Sequence, residues 1–243
     1  MSGTASDTEI AKFDRIAAEW WDPTGPMAPL HRMQPCRMGW VIGALARAHG
    51  RTAEAALPLA GLRILDVGCG AGLVAEALAK AGAEVTGLDA AAEALAVARS
   101  HAEAGGLHIT YRHGTPEALL AEGAPLFDAV TALEVVEHVT DRADFCASLA
   151  RMVKPGGQVV LSTLNRTIRS LLTAKIAAEY ILRWLPAGTH DWKGFVRPAE
   201  LGADCRAAGL HVRQIAGMEL SPISGWRISR SVGVNYLMLT QRS

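Results

Sequence analysis

Between Arg63 and Leu164 five short β-type runs alternate with four alanine-rich helical runs: RILDV, 72–81, EVTGL, 91–104, ITYR, 116–122, FDAVTAL, 141–153 and QVVLSTL. Strands alternating with helices of this length predict βαβ units and a parallel sheet covered by helices on both faces. The alternation stops after Asn165, where a 20-residue helical run, RTIRSLLTAKIAAEYILRWL, stands in place of the next strand and reads as an insertion. It resumes with a helix over 198–208, a strand over 211–218, a loop rich in Ser, Pro and Gly, and a last strand, NYLMLTQ. The expected fold is therefore α/β: a doubly wound, mostly parallel, seven-stranded sheet in one domain. Its parts are an N-terminal helical cover (8–50), a core (63–164), an inserted helix (166–187) and the C-terminal part of the sheet (198–243).

In the cover, residues 8–20 read as one helix and 36–49 as a second, with Pro23, Gly25, Pro26 and Pro29 preventing regular structure between them. Half of the 243 residues are hydrophobic, which excludes a disordered chain. Lys plus Arg and Asp plus Glu number 24 each, which argues against a general nucleic-acid binder. The balance is uneven along the chain. Residues 1–164 carry 13 basic and 19 acidic side chains, and residues 165–243 carry 11 and 5, so the last third suits something anionic or amphipathic. Cys36, Cys69, Cys146 and Cys205 are scattered singly, without zinc-site or disulfide spacing. No secretory signal and no run of about 20 uncharged apolar residues is present, and the expected location is cytoplasmic.

Chemistry concentrates at two strand ends. LDVGCGAG, residues 65–72, joins the first strand to the first helix, and Gly68, Gly70 and Gly72 behind the acidic Asp66 allow a sharp turn and close approach of a ligand to the main chain. A dinucleotide fingerprint needs its third glycine where Leu73 stands, so the spacing points away from nicotinamide dinucleotides. Asp89 ends the second strand, placed either to accept both hydroxyls of a ribose or to cap the helix beginning at Ala90. The fourth strand runs into ALEVVEHVTD, which brings Glu134, Glu137 and His138 to the sheet edge. If that segment is helical, the three converge at i, i+3 and i+4. They would then hold a divalent cation, or His138 would act as a general base; the plainer reading is capping and supporting hydrogen bonds around the pocket.

LDVGCGAG, the acidic end of the next strand, FDAVTALEVVEHV and MVKPGG together resemble the class I S-adenosylmethionine-dependent methyltransferases. The segments KFDRIAAEWWDP, PLHRMQPCRMGW, STLNRT, AAEYILRWLPAGTHDWKGFVRPAEL and VNYLMLTQR narrow the resemblance to the ubiquinone-biosynthesis O-methyltransferase family, over nearly the whole chain. The resemblance implies a Rossmann-like fold with an inserted lid, and S-adenosylmethionine as donor. It places donor contacts on Arg37, Gly68, Asp89 and Leu133, with Asp66, Gly70 and Gly72 in the same loop. On the family pattern ExxEH also implies Mg2+ at Glu134, Glu137 and His138, with these residues catalytic. Without it, Arg37 reads as a surface helix arginine.

The implied reaction is methylation of both hydroxyls added to a polyprenylated phenol, within a biosynthetic complex and with no nucleic acid as partner. In the insertion Leu171, Ala174, Ala178, Ile181 and Leu185 share one helical face while Lys175, Glu179 and Arg183 share another, with Tyr180 and Trp184 added. Core packing is the common use of such a stripe. A basic amphipathic helix with aromatics also suits peripheral contact with the inner face of a membrane through residues 166–187. Two other readings stay open: an O-methyltransferase for a soluble small phenol, and a donor-binding assembly partner without catalysis. His190 and Asp191, in the loop beyond, receive no assigned role.

Overall fold

The computed structural model describes residues 4, 19–25, 27–171, 194–221 and 225–243. The expected helix over 8–20 and most of the inserted helix, with Lys175, Glu179, Tyr180, Arg183, Trp184, His190 and Asp191, lie outside the described residues.

The order of elements is α1 (Ala28–Ala48), β1 (Arg63–Val67), α2 (Leu73–Lys80), β2 (Glu84–Asp89), α3 (Ala92–Ala104), β3 (Thr110–His113), α4 (Pro116–Ala121), β4 (Phe127–Leu133), α5 (Arg142–Met152), β5 (Val153–Leu164), α6 (Pro198–Ala207), β6 (Leu210–Ser221), β7 (Gly225–Ser229) and β8 (Asn235–Arg242). They build one sheet in the order β3-β2-β1-β4-β5-β8-β6-β7. Strands β1 to β5 are mutually parallel; β8 lies antiparallel between β5 and β6, and β7 is antiparallel to β6. Among the described residues the sheet therefore has eight strands rather than the expected seven. The extra one, Gly225–Ser229, lies in the stretch read as a loop, where Ser, Pro and Gly mask a hairpin return that pairs Leu220 with Trp226 and Met218 with Ile228.

The central parallel strands β1 and β4 carry almost no in–out alternation, as a sheet covered on both faces requires: all but the first residue of β1 is buried, and β4 is buried at six of seven positions. One large apolar cluster fills the side covered by α1 and α2, from Trp40, Val41 and Leu45 to Leu78, Leu95 and Leu237. A second fills the side covered by α5 and α6, around Phe145, Leu149, Leu201 and Tyr236.

Helix α1 begins eight residues before the expected start. Pro29 lies in its first turn, where the missing N–H has no intrahelical partner to lose, so proline opens this helix instead of delaying it. Pro35 is tolerated inside the helix, whose buried residues include Met38, Trp40, Val41 and Leu45. That burial outweighs a proline cost of about 3 kcal/mol. The early start moves Arg37 from the first turn of the expected helix to the middle of a packed one.

Order reverses between β1, which leads outward through β2 to β3, and β4, which leads the other way. Ligands of open α/β sheets bind in the crevice outside the carboxyl ends of the strands at such a switch point. The loops after Val67 and Leu133 both open there.

Candidate active site

The loop after β1 turns through positive φ at Gly68 (68°), Gly70 (51°) and Gly72 (92°), a region that costs L-residues energy. At Gly68 space matters as much as conformation, because a Cβ would lie 2.5 Å from Val135 Cγ2. The glycine loop and the loop after β4 are thus in van der Waals contact, and the two halves of the expected site share one crevice.

Asp89 fixes the loop from the other side. Its Oδ2 accepts the Gly70 N–H at 2.7 Å and its Oδ1 accepts the Ala91 N–H at 2.8 Å. Asp89 is not the N-cap of α3, which is Ala91, but it braces the turn into that helix and stands at the strand end beside the glycine loop.

Asp66 is buried beneath the loop. Thr131 Oγ1 donates to its Oδ1 at 2.7 Å, and its Oδ2 accepts no hydrogen bond among the described residues. Burial pushes its pKa up to about 7, although Thr131 and the Arg37 charge pull it down. Arg37 is only 2% exposed, so it is no surface arginine. Gln34 Oε1 accepts from its Nε at 3.1 Å and from its Nη2. Burial lowers the Arg37 pKa and the charges of Glu134 and Asp66 raise it, so the guanidinium faces carboxylates from both strand ends. It stays a cation.

The pH response of Asp66 has a definite sign. The folded chain keeps the Asp66 proton up to about pH 7, whereas an unperturbed Asp releases it near 3.8. Between those values rising pH ionises the unfolded chain first, so stability falls and then levels off above the folded pKa. Asp66→Asn is therefore expected to gain stability over the parent between pH 4 and pH 7, by at most about 4 kcal/mol. Melting temperatures of both proteins, without donor, at pH 5, 6, 7 and 8 check this; a gap that does not widen counts against it.

The loop after β4 differs from expectation. Glu134 has φ 58°, the one non-glycine residue with positive φ among the described residues, so the chain breaks sharply at the strand end and ExxEH does not form a helical turn. Serine and threonine at the end of β5 hold the bend. The Glu134 N–H donates to Ser162 O at 3.0 Å, Ser162 Oγ donates to Glu134 Oε1 at 2.7 Å, and Thr163 Oγ1 donates to Glu137 Oε2 at 2.8 Å. Burial, and then the neighbouring Glu134, push the Glu137 carboxyl well above the ordinary range. The His138 N–H donates to Val135 O at 2.9 Å.

Among the described residues no three His, Cys, Asp or Glu side chains cluster as metal ligands. The expected Mg2+ site at Glu134, Glu137 and His138 is thus not assembled by these residues. The i, i+3, i+4 convergence needed a helix, and the left-handed Glu134 removes it. The two glutamates do come together, held by β5.

Leu133, the last residue of β4, is 7% exposed and pairs with Ser162. Several residues that shape the site carry no motif signal of their own. Ser162 and Thr163 were visible only as part of STLNRT, and Val135 only as an apolar residue between acids. Gly194, past the insertion, approaches the Glu137 carbonyl so closely that a Cβ would lie 2.9 Å from its oxygen.

A glycine loop braced by an acidic strand end, beside a 3-2-1-4-5 parallel sheet with a reversed hairpin edge, defines a class I S-adenosylmethionine-dependent methyltransferase. Residues 65–161 match the methyltransferase domain family. The magnesium protoporphyrin IX methyltransferase of Synechocystis, solved with S-adenosylmethionine bound, superposes over 100% of both chains with TM-score 0.64 at 18% identity. A possible histamine N-methyltransferase from Thermotoga maritima also gives 0.64, over 97% of this chain and 99% of the other, at 17% identity. These likenesses show the fold. The ubiquinone biosynthesis O-methyltransferase of Azorhizobium caulinodans is 48% identical over 98% of this chain and 94% of its own length. That of Cereibacter sphaeroides is 46% identical over 99% and 98%. The chain belongs to the ubiquinone biosynthesis O-methyltransferase family, and S-adenosylmethionine is its methyl donor.

Proposed function

We propose that this chain methylates the ring hydroxyls of polyprenylated phenols, in both O-methylation steps of the pathway, with Glu137 as the proton acceptor. The observation that carries this reading is the Glu134–Glu137 pair just beyond β4, on either side of Val135 and Val136, of which Val135 packs on the donor loop at Gly68.

The donor, when bound, supplies an electrophilic methyl group on a sulfonium. The chain's own residues must hold the acceptor oxygen in line with it and take its proton. A phenol has an unperturbed pKa of about 10, so at neutral pH it is a weak nucleophile until its proton leaves. A carboxylate of ordinary pKa is a poor match for it; burial and Glu134 raise Glu137 toward it. Transfer forms the oxygen–methyl bond, breaks the sulfur–methyl bond and leaves the phenolic proton on Glu137. Arg37, Asp66, Gly68, Gly70, Gly72, Asp89 and Leu133 make up the donor side, with Arg37 suited to the donor's carboxylate and Asp89 to its ribose. His138 remains an alternative proton acceptor.

The acceptor's tail calls for an apolar route. No helix of the described residues is long and apolar enough to cross a membrane. The described root of the insertion exposes Ile168 at 75%, next to Arg166 and Arg169, which supports peripheral contact of the 166–187 region with an anionic bilayer. The test compares methyl transfer to a prenylated catechol and to its short-tailed analogue, each with and without anionic vesicles. At least tenfold higher kcat/KM for the prenylated acceptor is expected, with vesicles stimulating that acceptor alone. Equal kcat/KM for both would favour a soluble-phenol enzyme, and donor binding without turnover of either would favour an assembly partner.

A further inference from the structure

The donor loop is roofed by a segment that the family match and the chemistry above leave without a task. Trp20 is 8% exposed, and its ring edge lies 2.9 Å from where a Gly70 Cβ would be, so it fills the space beside the middle glycine. The adjacent Trp21 donates from Nε1 to the Ala71 carbonyl at 2.9 Å. Its ring also stacks on His101 of α3, with centroids 3.5 Å apart and planes 5° from parallel. His101 is held in turn, because its Nδ1 lies 2.5 Å from Oε1 of Glu76, whose side chain is 2% exposed and whose other oxygen binds Lys80.

The same segment is tied to α1. His31 Nε2 lies 2.8 Å from the Trp20 carbonyl, and Gln34, the partner of Arg37, donates to the Leu73 carbonyl at 3.0 Å. The carbonyls either side of Gly72 are thus held from outside, by Trp21 at Ala71 and by Gln34 at Leu73. Fixing those peptides fixes the turn that must present backbone to the donor.

Trp20, Ala71 and Leu73 nevertheless form a small cluster of their own, with Trp21, Met27, Leu30 and Val97 at its margin, outside the two main cores. A satellite cluster can open while the sheet stays folded. A segment closed over a ligand loop through Trp20 packing at Gly70 and the Trp21–Ala71 hydrogen bond, and clasped to α3 by the Trp21–His101 stack, can exchange between closed and open forms.

We propose that Trp20–Trp21 is a strap over the donor loop, and that Trp21, His101 and Glu76 are positioning residues forming its clasp, which sets how fast donor enters and demethylated product leaves. Lifting the strap breaks the Trp21–Ala71 hydrogen bond and unstacks Trp21 from His101. Weakening the clasp should then speed passage in both directions, whereas loss of an ordinary binding contact speeds release alone.

The test uses the full chain and measures association and dissociation rate constants of S-adenosylhomocysteine by stopped-flow tryptophan fluorescence. Trp21→Phe keeps a ring to stack but loses the donated hydrogen bond; His101→Ala loses the stacking partner. Both variants are expected to raise both rate constants at least threefold, with Kd changed less than threefold. If dissociation alone rises, in step with Kd, the clasp is an ordinary contact and the proposal fails. It fails equally if neither variant alters either rate. Melting temperatures within a few degrees of the parent keep the reading on the strap; a broad loss of stability with both rates unchanged overturns it.

Discussion

Glu137→Gln is expected to lower kcat by about 10²- to 10⁴-fold, the usual range for removing a general acid–base group, while leaving donor affinity within threefold. The amide matches the carboxylate in size and can still accept from Thr163 Oγ1, so the loop after β4 keeps its shape. What disappears is the site that receives the phenolic proton. In the parent, kcat should rise with pH as Glu137 loses its own proton and then level off. Since burial and Glu134 hold that carboxyl well above its ordinary range, the rise falls at higher pH than a surface glutamate would give. In Glu137→Gln the residual rate should keep climbing toward the phenol's own pKa. Glu134→Gln removes a charge that raises Glu137, so its rising limb should move to lower pH. Radiolabelled methyl transfer across the pH range, with calorimetric donor binding, measures all three. A Glu137→Gln enzyme retaining more than a third of parental kcat would move the proton acceptor to His138.

Arg37→Ala should carry the largest loss of donor affinity, about 2–5 kcal/mol, or on the order of 30-fold to several thousand-fold in Kd. The residue is almost wholly buried and its charge faces Asp66 and Glu134. Truncation removes the cation offered to a donor carboxylate and leaves two carboxylates near one another without it. Asp66 can relieve this by keeping its proton, since Arg37 helps hold its pKa down to about 7. The variant's affinity deficit should therefore be smaller below pH 6 than at pH 8. Arg37→Lys should recover part of the charge but not the paired contact of Nε and Nη2 with Gln34. Calorimetric titration with S-adenosylhomocysteine at both pH values reads the effect, and a change below fivefold at pH 8 would place Arg37 outside the donor pocket.

Much of the site was legible before any tertiary structure. LDVGCGAG had to be a sharp glycine turn at the end of β1, because three glycines at alternate positions can take the positive φ that other residues resist. Asp89 had to stand at the next strand end, because strand length and parallel alternation set that register. Arg37 was different: helical periodicity alone leaves an arginine at the surface, and only the packing of α1 on the sheet buries it between Asp66 and Glu134. The acceptor side is less legible for a related reason. Spacing of i, i+3, i+4 is a contact only in a helix, and the left-handed Glu134 that prevents one is imposed by Ser162, 28 residues away.

Local rules therefore determined the alternating elements, the parallel sheet, the donor loop and its acidic partner, since each depends on residues within one βα unit. Tertiary structure decided what crosses between units: the eighth strand, the early start of α1, the pairing of Glu134 with Glu137 on β5, and the two tryptophans closed over Gly70. Those contacts join residues far apart in the chain, and their geometry arises only when the sheet has formed.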